Sequence, residues 1–102
     1  MSYDRTRRIS EEVRKVVSNM LLEGEIKDTK IRNSKGLISV TSVEVVRDLK
    51  YAYIYISVLG DNPETILEGL KRASGYVRKE VGRQVDLRYT PEIIFRLDHS
   101  IE

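Results

Sequence analysis

The sequence predicts an α+β fold in which helices pack on one face of a three-stranded sheet. Three observations lead there. Residues 37–46 (LISVTSVEVV) are dominated by Val, Ile, Ser and Thr, with Glu44 the only good helix former. Residues 51–58 alternate, with Ala52, Ile54, Ile56 and Val58 on one side and Tyr51, Tyr53, Tyr55 and Ser57 on the other. Two further segments, 4–23 and 63–82, place apolar residues at the three- to four-residue spacing of a helix stripe. With 102 residues, 40% hydrophobic and 33% charged, the chain has the size and composition of one globular domain spanning 1–102.

The elements follow in order. In the first helix Ile9, Val13, Val16, Val17, Met20 and Leu21 form the stripe, Asp4 or Ser10 is positioned to cap the start, and Gly24 ends it. Residues 24–36 are polar and punctuated by Gly and Asn-Ser, the pattern of a loop. The strands 37–46 and 51–58 form an antiparallel hairpin, with a local Arg47–Asp48 ion pair expected in the turn. Asn62 and Pro63 suit the cap and first position of the next helix. There Ile66, Leu67, Leu70 and Ala73 make the stripe, Ser74-Gly75 interrupts it, and Tyr76, Val77 and Val81 resume it. Two short helices joined at a kink are therefore expected, followed by a connector over 83–92 and a last strand over 93–97. The pattern leaves the position of that strand open.

Composition removes several kinds of chemistry. Without cysteine there are no disulfides, thiolate nucleophiles or cysteine metal sites. His99, the only histidine, lies near the end of the chain, where solvent exposure is expected. A zinc site or a Ser-His-Asp triad has almost no material. The glycines are too widely spaced for a phosphate-binding loop, and adjacent acids such as Glu11 and Glu12 diverge on a helix. No catalytic residue, metal or cofactor is expected. No apolar run reaches membrane-spanning length, and the start MSYDRTRR lacks an apolar leader, so the expectation is a cytoplasmic protein.

The net charge of +2 is unevenly spread: +3 over residues 1–35, −3 over 36–70, +4 over 71–90 and −2 over 91–102. A fold that brings the two basic stretches together presents a basic face to an anionic partner.

The helix-strand-strand-helix-kink-helix-strand order resembles the bacterial (type II) KH domain. The segments RTRRISEEVRK (5–15), EIKD (25–28), VTSVEVVRDLKYAYIYISVLGD (40–61) and LKRASGYVRKEVGRQVDLRYTPEIIFRLDHSIE (70–102) together resemble the ribosome-binding factor A family over nearly the whole chain. That resemblance implies a monomeric, non-catalytic bacterial factor that binds the small ribosomal subunit and its rRNA. It also implies action late in subunit maturation and rRNA processing, and support of growth in the cold. In place of the Gly-x-x-Gly loop of other KH domains, this family has an Ala-x-Gly kink, here Ala73, Ser74 and Gly75. Family members commonly continue past the Asp98–Glu102 segment at which this sequence stops.

The candidate RNA-binding residues form two groups. Lys71, Arg72, Ser74, Gly75, Arg78, Lys79, Arg83 and Arg88 surround the kink. Lys and Arg neutralise phosphates, and the forked guanidinium favours Arg72, Arg78 and Arg83. Arg5, Arg7, Arg8, Arg14 and Lys15 lie mostly off the apolar stripe of the first helix, where Glu11–Lys15 is also an i,i+4 pair. The tyrosines of 51–58 read as the partly exposed shield of the sheet's second face rather than a base-stacking platform. The alternative function is a protein-docking module that uses that face or a sheet edge.

Overall fold

The computed structural model describes residues 2–46 and 48–99, with side chains from residue 5 onward. The elements are α1 (Ser2–Leu22), α2 (Thr29–Arg32), β1 (Leu37–Val45), β2 (Tyr51–Leu59), α3 (Pro63–Arg72), α4 (Ser74–Gln84) and β3 (Glu92–Leu97). The expected α+β architecture is present, with the extra short helix α2 inside the segment read as a loop. Four residues are too few to show a period, and the only local signal is Asp28. Its carboxylate accepts the Lys30 N–H at 2.9 Å and so caps α2.

α1 ends as expected at Gly24, in the left-handed region at φ 69°. The Gly24 and Glu25 N–H groups donate to the carbonyls of Leu21 and Met20, the paired closure that terminates a helix on glycine. Its start differs from expectation. Asp4 lies within the helix and Ser10 in its middle. The Ser10 hydroxyl donates to the Thr6 carbonyl at 2.8 Å and accepts the Val45 N–H at 3.1 Å, tying α1 to the end of β1.

The sheet order is β1-β2-β3. β1 and β2 are antiparallel, with a register shift between Val40 and Ser42. The Thr41 hydroxyl bridges this bulge to the Tyr55 carbonyl at 3.2 Å. β3 runs parallel to β2, with Ile54 opposite Phe95. The parallel pairing settles the strand position that periodicity left open: the helical connection α3–α4 carries the chain back across the sheet. In the hairpin turn, Asp48 accepts the Lys50 N–H at 3.1 Å. The expected Arg47–Asp48 pair involves Arg47, which lies outside the described residues, as do Ser100, Ile101 and Glu102.

One core joins the sheet to the helices. Ala52, Ile54, Ile56, Ile93 and Phe95 meet Ile9, Val13, Val17 and Met20 of α1, Ile66 and Leu70 of α3, and Val77 and Val81 of α4. The opposite sheet face carries Tyr51, Tyr53, Tyr55, Ile94 and Arg96. It is partly exposed as expected. The Arg96 guanidinium lies 4.5 Å from the centroid of the Tyr53 ring, and Tyr51 and Tyr53 stack at 6.4 Å.

Candidate nucleic-acid interface

α3 starts on the expected cap: the Asn62 side chain accepts the Glu64 and Thr65 N–H groups at 2.9 and 3.3 Å. It ends at Ala73, which also begins α4. The break therefore sits at Ala73 (φ −88°, ψ 0°) rather than at Ser74-Gly75. Ser74 turns its hydroxyl back to the Lys71 carbonyl at 2.8 Å. Gly75 is inside α4, and a methyl group added there would meet nothing within 4 Å. Glycine is thus not required by the bend itself. No side chain caps the start of α4 and no acid stands in its first turn.

The candidate cations around the kink divide by what they touch. Arg72 is committed to Asp28, with Nε to Oδ2 at 2.8 Å and Nη2 to Oδ1 at 3.0 Å. This two-point bond holds the Asp28 carboxyl below its ordinary pKa and raises that of Arg72. Arg83 donates to the buried Glu80 carboxylate at 2.7 Å, which likewise lowers the Glu80 pKa. Gln84 also donates to Glu80, at 3.2 Å. Arg78 reaches the Thr90 carbonyl through Nε at 3.3 Å and Nη2 at 3.0 Å. Arg88 rests on Tyr89, 5.6 Å from its centroid. Lys71 and Lys79 are exposed and form no ion pair among the described residues.

The first-helix candidates differ similarly. Arg5, Arg7, Arg8 and Lys15 are exposed and Arg14 is half-buried. The i,i+4 ion pair is Arg8–Glu12 at 4.0 Å, not Glu11–Lys15. α1 packs on β1 and touches α4, so the two basic groups belong to neighbouring helices.

Three features near the kink were not singled out in the sequence. Lys27 and Lys30 of the connector are exposed. α2 packs on α3 so closely that a methyl group at Gly69 would stand 2.8 Å from Asp28 Oδ1 and 3.1 Å from the Lys30 Cβ. Tyr76, read as part of the buried stripe, is 45% exposed. It directly precedes buried Val77, and neighbours on a helix point about 100° apart. With Glu25, Lys27, Asp28, Arg72 and Ala73 it lines a groove of about 400 Å³. Partial burial, together with the adjacent Glu23 carboxylate, raises the Glu25 pKa above its ordinary value.

The described residues hold no cluster of three or more metal-ligating side chains, and none of their helices is long and apolar enough to cross a membrane. The family model for ribosome-binding factor A matches residues 5–102. The chain belongs to the ribosome-binding factor A family. It is 58% identical over 101 residues to the ribosome-binding factor A of Clostridioides difficile, covering 99% of this chain and 77% of the relative. Among solved structures it is similar to a Thermotoga maritima protein described as a ribosome binding factor A. That match has a TM-score of 0.73 and 28% identity, over 96% of this chain and 91% of that one. It also shares its fold with the Thermus thermophilus ribosome binding factor A as fitted into a cryo-electron microscopy map of a 30S complex. Here the TM-score is 0.58 at 18% identity, over 83% of this chain and 98% of that one. The fold of ribosome-binding factor A thus accounts for the sheet order and the paired helices, consistent with a KH-like domain.

Proposed function

We propose that this chain binds the small ribosomal subunit through its rRNA and assists a late step of subunit maturation, including rRNA processing, without catalysing a reaction. Family membership supports a ribosomal partner, and the Thermus relative described in a 30S complex supports the small subunit. The observation that carries the surface assignment is the break between α3 and α4 at Ala73, with exposed Gly75 in the first turn of α4 and, on either side, the exposed Lys71 and Lys79, which form no ion pair among the described residues. Gly75 leaves the outer side of that turn open to close approach. Exposed Arg5, Arg7 and Lys15 add positive charge on the neighbouring helix α1.

Arg72, Arg78 and Arg83 have a different primary role in this reading. Their guanidinium groups already hold Asp28, Thr90 and Glu80: Arg72 braces the end of α3, Arg78 ties α4 to the segment before β3, and Arg83 pairs within α4. The mechanism is stoichiometric. Tighter binding to an immature rRNA conformation than to the mature one shifts the population toward the form competent for processing.

Co-sedimentation with isolated small subunits, large subunits and intact ribosomes tests the partner. Retention on free small subunits, weakening with salt, is expected; equal retention on large subunits contradicts the reading. A protein-docking role is the second reading. It rests on the sheet face that no helix covers, where Tyr51 is exposed and the paired Leu37 and Leu59 are 63% and 65% exposed. Binding of that kind would be insensitive to salt and to RNA removal.

A further inference from the structure

We propose that the groove beside the kink is a binding site for one unpaired ribonucleotide, whose base stacks on Tyr76 and whose phosphate is met by Lys27 and Lys79. This inference deepens the rRNA-binding reading and rests on it. Tyr76 is the wall of the groove with a large aromatic surface left in water, at 45% exposure. Nothing in the core needs the ring there, because the next residue, Val77, fills the buried position. A ring held on a helix beside a fixed turn is a preorganised stacking surface, and stacking accepts any base.

The opposite side of the groove is equally rigid. Asp28 is held by the α2 cap and by both nitrogens of Arg72, so the Arg72 guanidinium stays in one plane at the groove. Of the groove's two carboxylates, Asp28 is neutralised by Arg72, whereas Glu25 lies beside Glu23 and Glu80 and only more weakly in the field of Arg83, so the positive charge a phosphate needs must come from the lysines. Lys27 lines the groove and Lys79 stands one turn along α4 from Tyr76. Both are exposed and form no ion pair among the described residues, which leaves them for a phosphate. A single-stranded segment meets these requirements. A duplex does not, because its bases are already stacked.

The test combines two measurements. Isotope-labelled full chain is titrated with a short oligoadenylate and with an RNA duplex, following amide resonances. In parallel, small-subunit affinity is measured for the unmodified protein, Tyr76→Phe and Tyr76→Leu. Expected are shifts at Lys27, Ala73 and Tyr76 with the single strand but not the duplex. Subunit affinity should be retained by Tyr76→Phe and lost roughly 5- to 100-fold by Tyr76→Leu, the range of one stacked base. Full affinity of Tyr76→Leu overturns the site while leaving subunit binding in place. If the unmodified protein fails to bind small subunits, the functional reading fails. The titration then decides alone: shifts confined to the groove support the nucleotide site, and their absence overturns it.

Discussion

Arg72 and Asp28, 44 residues apart in sequence, are joined by two parallel hydrogen bonds, of 2.8 and 3.0 Å. The same carboxylate caps α2, so one aspartate fastens the connector to the end of α3. The pair therefore positions the kink relative to α2. Asp28→Asn and Arg72→Gln should each lower the melting temperature. The double variant should lose less than the sum of the two, because the second change removes a group already left without its partner. Strict additivity in a double-mutant cycle would show that the pair is not coupled.

Acid should weaken the fold through three carboxylates. Asp28, Glu80 and Asp61 are held below their ordinary pKa values, chiefly by Arg72, by Arg83 and by the Asn62 N–H respectively. As pH falls, the unfolded chain takes up protons at these groups before the folded one does. Their stabilisation is present above about pH 4 and is lost as pH drops through the lowered native values. Urea unfolding between neutral pH and pH ~3 should show this decline, and Asp28→Asn combined with Glu80→Gln should reduce it, leaving the Asp61 contribution.

Two glycines of the helix pair should respond in opposite directions. Gly69→Ala places a methyl group 2.8 Å from Asp28 Oδ1 and 3.1 Å from Ile31, so the carboxylate that caps α2 and holds Arg72 must shift. The variant should be destabilised by roughly 1–3 kcal/mol despite its better helix propensity. Gly75→Ala meets nothing within 4 Å and should be stabilised by about 0.4–1 kcal/mol. If RNA approaches that turn closely, the same variant binds small subunits more weakly. Urea unfolding and subunit affinity, measured on one preparation, separate the two effects.

The α+β fold was legible because its main elements carry full periods. The alternation of 51–58 placed Ala52, Ile54 and Ile56 in the core, where all are fully buried. The spacing of Ile9, Val13, Val17 and Met20 likewise gave the buried side of α1. What remained illegible depends on contacts between distant segments. α2 is too short for a period and is held by Asp28 and by close packing at Gly69. The kink cations were visible as charges, but not their partners: Asp28 for Arg72 and the Thr90 carbonyl for Arg78 arrive from elsewhere in the chain. The helical stripe expected from Tyr76, Val77 and Val81 holds for the two valines only. Only packing reveals which of two adjacent residues turns inward.

Phe95 should be the most sensitive position of β3. It is 1% exposed and pairs in register with Ile54 at the centre of the sheet. Phe95→Ala should cost about 3–5 kcal/mol. Exposed Arg96, the next residue along β3 and on the opposite face of the sheet, should tolerate Arg96→Gln within about 1 kcal/mol, its main loss being the Tyr53 contact. Urea unfolding of the two variants checks the contrast.

Salt dependence of small-subunit affinity, measured for the unmodified chain and for Lys71→Glu/Lys79→Glu, decides whether the unpaired lysines at the kink carry the RNA contact. Both side chains are exposed, so unfolding stability should change by no more than about 0.5 kcal/mol. Affinity should fall at least about tenfold, and the slope of log affinity against log salt should become shallower by about two. Unchanged affinity and an unchanged slope would contradict it and move the interface away from this turn.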